Sequence, residues 1–156
     1  MSIDAAHKSW RQISEVIFGI PFLAAIALQG LVPFSFPGGI LTPIRMLLGS
    51  VFIILGVGLI VLARWEFARR NQPTDPGYPT TSMVTTRVFN VTRNPIYLGA
   101  ASFLGGIALA FNLPWVLALL IPALLACHFV LIAPENRYLA GRFGETYLAY
   151  TAHVHR

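Results

Sequence analysis

Four apolar runs alternate with polar stretches along this chain, each close to the ~20 residues a helix needs to cross the hydrocarbon of a bilayer. In lipid the backbone N–H and C=O groups find no water, so a run of that length is forced into a helix. No other feature narrows the possible folds as far. Of the residues, 56% are hydrophobic and 11% charged, whereas a soluble domain carries about 25% charged residues. Too few charges remain to cover a water-facing surface. At this length one domain is expected, spanning residues 1–156.

A net charge of +5 suits a nucleic-acid partner, but the positions of the cations exclude it. Lys8 and Arg11 precede the first run. Arg64, Arg69, Arg70, Arg87 and Arg93 lie between the second and third, and Arg137, Arg142 and Arg156 follow the fourth. Only Arg45 falls on the other side. With four alternating helices this is the positive-inside pattern, which places both termini in the cytosol; in a bacterial cell the membrane would be the cytoplasmic (inner) one. The single cysteine, Cys127, has no intrachain partner for a disulfide. Lys8 and Arg11 before an apolar run resemble a signal peptide, but three further runs follow, so an uncleaved first helix is expected.

Taken in order, Trp10 is placed to anchor at the interface, and the first helix runs roughly from Val16 to Val32. The second covers about Arg45 to Ala63, with Gly49, Gly56 and Gly58 offering close approach to a neighbour. It continues into the cytosol through residues 64–70, where Glu66 and Arg70 are spaced to pair on one solvated face. Residues 71–92 form a polar loop rich in Pro and Thr, too long for a minimal hairpin. Asn94 suits an N-cap and Pro95 the first helical position, so a third helix is expected from about Pro95 to Phe111. Ala101 with Gly105, and Ser102 with Gly106, give it a small-residue surface. The fourth helix extends to about Ala133, and Pro122 is expected to kink it. Beyond Pro134, Leu139, Phe143, Tyr147, Tyr150 and Val154 recur on one helical face. Gly141 and Gly144 weaken the helix there, with a bend expected at residues 143–144. The fold class is therefore all-α: a polytopic membrane protein with four transmembrane helices and a C-terminal amphipathic helical segment in the cytosol.

Local physics marks a few residues for chemistry. Arg93 sits at a helix N-terminus, where two positive features together attract an anion; a snorkelling interfacial arginine is the other reading. Glu135 follows the fourth helix, either as a ligand-binding carboxylate or as a cap for the next helix. His128 is an ionisable group inside an apolar run and so a candidate by position, with a neutral histidine bonded to a backbone carbonyl as the alternative. His153 and His155 are two apart and do not share a helix face, so with Cys127 they make no metal set. No metal is expected.

The spaced residues Arg93-Asn94-Pro95-x-Tyr97-x-Gly99, followed by Glu135-Asn136-x-x-Leu139-x-x-x-Phe143-Gly144-x-x-Tyr147-x-x-Tyr150-x-x-x-Val154-x-Arg156, resemble the signature of integral-membrane methyltransferases. These are the isoprenylcysteine carboxyl methyltransferases and the related phospholipid methyltransferases. The loop ending Pro79-Thr80-Thr81-Ser82-Met83-Val84-Thr85 resembles theirs as well, so the likeness covers about residues 64–156. It implies S-adenosylmethionine as cofactor in a cytosol-facing pocket, and a lipid-like or prenylated acceptor arriving from the membrane. Carried over by position, Arg93 and Glu135 become catalytic candidates with His128 beside them. Arg93, Asn94, Tyr97, Glu135, Asn136, Tyr147 and Tyr150 become the cofactor contacts. An arginine suits the cofactor's carboxylate, a glutamate its ribose hydroxyls or ammonium, and tyrosine rings its adenine or cation.

Two departures stand out. The family usually shows two adjacent glutamates where this chain has Glu135 and Asn136, and a loop glycine is replaced by Arg87. The acceptor decides whether a base is needed: a carboxylate attacks without one, whereas a protonated amine must first lose its proton. The isoprenylcysteine type of carboxylate is favoured. Two other classes stand beside this reading. An NADPH-dependent membrane reductase of the sterol-reductase type needs a spare cation, for which Arg87 is the nearest, and a non-catalytic four-helix protein needs neither Arg93 nor Glu135.

Overall fold

The computed structural model describes residues 14–39, 41–72 and 82–154. Lys8, Trp10 and Arg11, the loop at 73–81 with its Pro79-Thr80-Thr81, and His155 and Arg156 lie outside the described residues. The described residues form helices and connecting turns, with no strand among them.

Helices α1 (Ser14–Leu31) and α2 (Leu41–Arg69) are long and apolar enough to cross a membrane, as is the helical stretch Pro114–Phe143. Helix α3 (Pro95–Ala110) is apolar but has 16 residues. At 1.5 Å per residue it reaches about 24 Å, short of the ~30 Å hydrocarbon layer. Three of the four expected spans thus have the length, and the third is shorter.

Helix α3 runs antiparallel to α2 with their backbones almost touching. Gly49 meets Gly106, and Gly56 meets Gly99. A Cβ on Gly56 would lie 2.6 Å from the Gly99 carbonyl oxygen, and one on Gly106 would lie 2.7 Å from that of Gly49. The pairs are seven residues apart on each helix, two turns of one face. Van der Waals packing of this kind replaces the missing hydrophobic drive between helices in lipid. The small residues expected to make this contact were Ala101 with Gly105 and Ser102 with Gly106. Of these Gly106 does meet α2, but its partner in the contact is Gly99, because those two share the face turned to α2. Gly58 has nothing within 4 Å.

Helix α1 packs on the other layer. Ile17 and Phe18 join Ala123, Cys127 and Leu131 in one cluster, and Ala25 joins Ala108 and Val116 in another. Outward positions such as Leu47, Ile54 and Ile121 are exposed and apolar, as a lipid-facing surface requires. At the end remote from the loop, the Trp115 indole donates to the Val32 carbonyl at 2.8 Å. There Asn112, with φ +60, accepts the Phe36 N–H at 2.9 Å. Arg45 donates to the Leu109 carbonyl at the C-terminus of α3, where a cation meets the negative end of the helix dipole. That contact explains an arginine on the side otherwise empty of cations.

Beyond Ala133 the helix does not end as expected. Helix α4 (Pro114–Ala126) runs through Pro122, widens into a π turn at Cys127–Ile132, and continues as α5 (Ala133–Phe143). The irregularity therefore falls after Pro122. Pro134 explains its place: in α register its ring would collide with the carbonyl four residues back, and the wider turn, with Ala133 N–H bonded to His128 O, gives it room. Helix α6 (Glu145–His153) follows. Gly144, with φ +52 and ψ −128, makes the break between α5 and α6 at the expected bend; a side chain is rarely tolerated in that conformation.

Candidate functional site

The loop ahead of α3 is anchored before it reaches Arg93. Val84, Val88 and Phe89 are buried against Ala63 of α2, and the Phe89 ring lies 5.0 Å from that of Phe67. At the loop's base the Gln72 carboxamide donates to the Ser82 hydroxyl at 3.1 Å and accepts the Ser82 N–H at 3.3 Å. Thr92 is buried, and its hydroxyl accepts the Asn94 N–H at 3.3 Å. Asn94 does occupy the N-cap position, but its side chain makes no capping bond. It lines a cavity instead.

That cavity, about 540 Å³ counting its opening to solvent, lies between the loop, the C-terminal end of α2 and helices α5 and α6. Phe67, Val84, Phe89 and Leu139 make its apolar wall. Arg93, Asn94, Glu135 and Asn136 supply the polar groups, with Tyr147 and Tyr150 on the α6 side. Glu135 reaches this wall because the helical path continues past Ala133, which puts it in the first turn of α5.

Hydrogen bonds set the tyrosines. The Tyr97 hydroxyl donates to Glu135 Oε2 at 3.1 Å, joining α3 to α5. Tyr97 does not itself line the cavity; it orients the carboxylate that does. The Tyr147 hydroxyl donates to Asn136 Oδ1 at 2.6 Å, and that of Tyr150 donates to the Phe89 carbonyl. Burial pushes the Tyr150 phenol up to about 12, against the opposing pull of the Arg93 charge. The phenol therefore keeps its proton and its bond to the loop at neutral pH.

Arg93 is the exception to this satisfaction. Its Nε is buried and has no hydrogen-bond partner, and no ion pair to Arg93 or Glu135 occurs among the described residues. A buried guanidinium donor left without an acceptor is costly, unless a ligand completes it. The structure thus brings six of the seven expected cofactor contacts into one cavity wall, with Tyr97 behind.

His128 does not line the cavity; its ring meets Phe129 edge-on at 5.1 Å. His128→Ala is accordingly expected to leave cofactor affinity and turnover within about twofold of the parent, measured on the purified protein in lipid. A hundredfold loss of turnover at unchanged stability would place the histidine in the chemistry.

Arg87 also stays out of the cavity, with its Nε 3.3 Å from Glu66 Oε2. Glu66 is paired with Arg70 at 3.1 Å as expected, yet it is buried rather than solvated, because the loop residues Thr86 and Arg87 close over it. Sequence reasoning also missed the apolar wall. Its one signal was an apolar triplet, Val84, Val88 and Phe89, inside an otherwise polar loop.

The family model for phospholipid methyltransferase matches residues 44–146. The matched span holds the whole glycine contact between α2 and α3 and all the lining residues except Tyr147 and Tyr150. No curated protein and no solved structure matches the chain significantly.

Proposed function

Since this chain belongs to the phospholipid methyltransferase family, we propose that it transfers a methyl group from S-adenosylmethionine to a lipid-like acceptor at the cytosolic membrane face. In this reading α1, α2, α3 and the long stretch Pro114–Phe143 all cross the membrane, with both termini cytosolic, and residues 1–156 act as one unit. The observation that carries it is the buried Arg93 Nε, without a hydrogen-bond partner among the described residues, in a cavity that Glu135 also lines with no ion pair there.

S-adenosylmethionine, when bound, supplies a methyl group made electrophilic by its sulfonium. Arg93 takes the cofactor's carboxylate as a charge-assisted fork. Glu135, held in place by Tyr97, accepts from the ribose hydroxyls or the ammonium. Asn94 and Asn136 add polar contacts, and the rings of Tyr147 and Tyr150 face the adenine or the cationic centre. Phe67, Val84, Phe89 and Leu139 keep water away, which removes the hydration shell of an incoming anion. Positioning then supplies most of the rate.

The acceptor we assign is a carboxylate of the isoprenylcysteine type. It is already anionic at neutral pH and needs no base, and among the described residues no histidine lines the cavity. The family description favours a second acceptor, the amine of a phospholipid; its proton would have to pass to Glu135. Methyl-labelled S-adenosylmethionine distinguishes the two. With the protein in lipid nanodiscs, a carboxylate acceptor yields a methyl ester that releases labelled methanol in base. An amine acceptor yields a base-stable product. Label in neither pool, from a protein that binds the cofactor, contradicts both acceptors.

Glu135→Gln keeps an acceptor for the Tyr97 hydroxyl but removes the charge. It is expected to weaken S-adenosylhomocysteine binding roughly tenfold, about 1.4 kcal/mol, with an unchanged unfolding temperature. Parent-like affinity measured by calorimetry would remove Glu135 from the site.

A further inference from the structure

At the end of α2 next to the cavity, two guanidiniums, those of Arg70 and Arg87, meet one carboxylate, and a third, that of Arg69, lines the same cleft. Glu66 is 4% exposed. Its Oε1 accepts Arg70 Nε at 3.1 Å and the Thr86 hydroxyl. Arg87 Nε approaches Oε2 at 3.3 Å, yet Oε2 receives no hydrogen bond. The N–H groups of Arg87 are therefore not spent on this contact. Arg69 forms no ion pair among the described residues. Its guanidinium lies over Trp65, 4.6 Å from the ring centroid, and that of Arg87 lies 4.8 Å from the same ring. With Glu66, Arg70 and Thr86 they line an open cleft, about 660 Å³ counting its opening to solvent, that shares no residue with the other cavity.

The backbone at Arg87 adds an independent observation. Its φ is +55, a left-handed conformation that glycine adopts freely and a side chain with Cβ resists. The helix C-terminus accounts for Arg69 and Arg70, which sit favourably at its negative end. It does not account for Arg87, which comes from the loop. Arg87, half-exposed beside Glu66 and making no hydrogen bond among the described residues, is free to offer its N–H groups to a further anion.

We propose that this cleft binds the phosphate of an anionic phospholipid headgroup at the membrane surface, beside the methyltransferase cavity. Guanidinium forks match the paired oxygens of a phosphodiester. The cleft stands at the end of a 29-residue apolar helix, level with a half-exposed Trp65, the residue type that marks the headgroup layer. Basic clusters at that depth attract anionic lipids. Glu66 holds Arg70 and Arg87 without cancelling the cleft's charge, since three cations and one carboxylate line it.

The full-length protein in a neutral detergent tests this by native mass spectrometry, with phosphatidylglycerol, phosphatidylcholine and inorganic phosphate offered separately. The expected result is retention of phosphatidylglycerol well above phosphatidylcholine, and at least tenfold weaker retention by the double variant Arg69→Gln/Arg87→Gly. Glycine suits the φ at 87, so this variant removes charge without adding strain. Should it fail to fold, Arg69→Gln alone, which removes no hydrogen bond or ion pair, is expected to lower retention about threefold. Equal retention of both lipids, or equal retention of phosphatidylglycerol by parent and variant, overturns the site. Inorganic phosphate competing as well as phosphatidylglycerol at equal concentration overturns the lipid source and assigns the cleft to a soluble phosphate.

Discussion

Arg93→Ala is expected to weaken S-adenosylhomocysteine binding by roughly ten- to a hundredfold while leaving the unfolding temperature unchanged or slightly raised. The first half follows from the type of bond: hydrogen bonds to charged groups contribute about 1.5–3 kcal/mol, and each 1.4 kcal/mol is about tenfold in affinity. The second half follows from what Arg93 lacks. Among the described residues its Nε has no partner and no carboxylate pairs with it, so truncation strands no acceptor there and removes a buried donor left unsatisfied. An arginine serving only to anchor the loop would show the opposite pattern, lost stability with parent-like affinity. Calorimetric titration and thermal unfolding of the same preparations separate the two.

Gly56→Val is expected to bring the largest loss of stability of any single change considered for the membrane region. The added Cβ would sit 2.6 Å from both the Gly99 carbonyl oxygen and the Phe103 nitrogen. Those are backbone atoms of a rigid helix, and no flexible side chain is there to yield. Overpacking a well-filled core costs about 1–3 kcal/mol and sometimes more; with backbone on both sides the upper end applies. The two helices must separate or slide, and α3 carries Tyr97 and its bond to Glu135 with it. Cofactor affinity should therefore fall along with the unfolding temperature. Gly58→Ala is the control: nothing lies within 4 Å of that position, and alanine is the better helix former, so stability should hold or rise. If Gly56→Val unfolds at the parent temperature, α2 and α3 do not meet along this seam.

How much of this was legible beforehand differs from element to element. The apolar runs announced their helices, because lipid leaves the backbone no alternative. The seam between α2 and α3 was only half visible: Gly49 and Gly56 stood out, but Gly99 read as part of a motif. Which face of α3 turns to α2 is set by tertiary register, and local spacing does not carry it. The extension of the fourth helix beyond Ala133 was hidden by Pro134, which reads as a terminator until a π turn makes room for it. Arg93, Asn94, Glu135, Asn136, Tyr147 and Tyr150 converge as the motif spacing suggested. Glu66 was read as a solvated partner of Arg70, since an i, i+4 pair gives no sign that a loop twenty residues away will bury it. Arg87 in place of a glycine was visible as a departure. Its positive φ and its partners Glu66 and Trp65 needed the coordinates.

Thermal unfolding of the purified protein in detergent, titrated separately with S-adenosylhomocysteine and NADPH, tests the proposed cofactor most directly. A ligand at a hundred times its dissociation constant stabilises the folded state by about 2.7 kcal/mol, a shift readily seen in a cooperative transition. The account predicts a rise with S-adenosylhomocysteine that is lost in Arg93→Ala, and no rise with NADPH. Stabilisation by NADPH alone, or no response to S-adenosylhomocysteine at millimolar concentration, would contradict it.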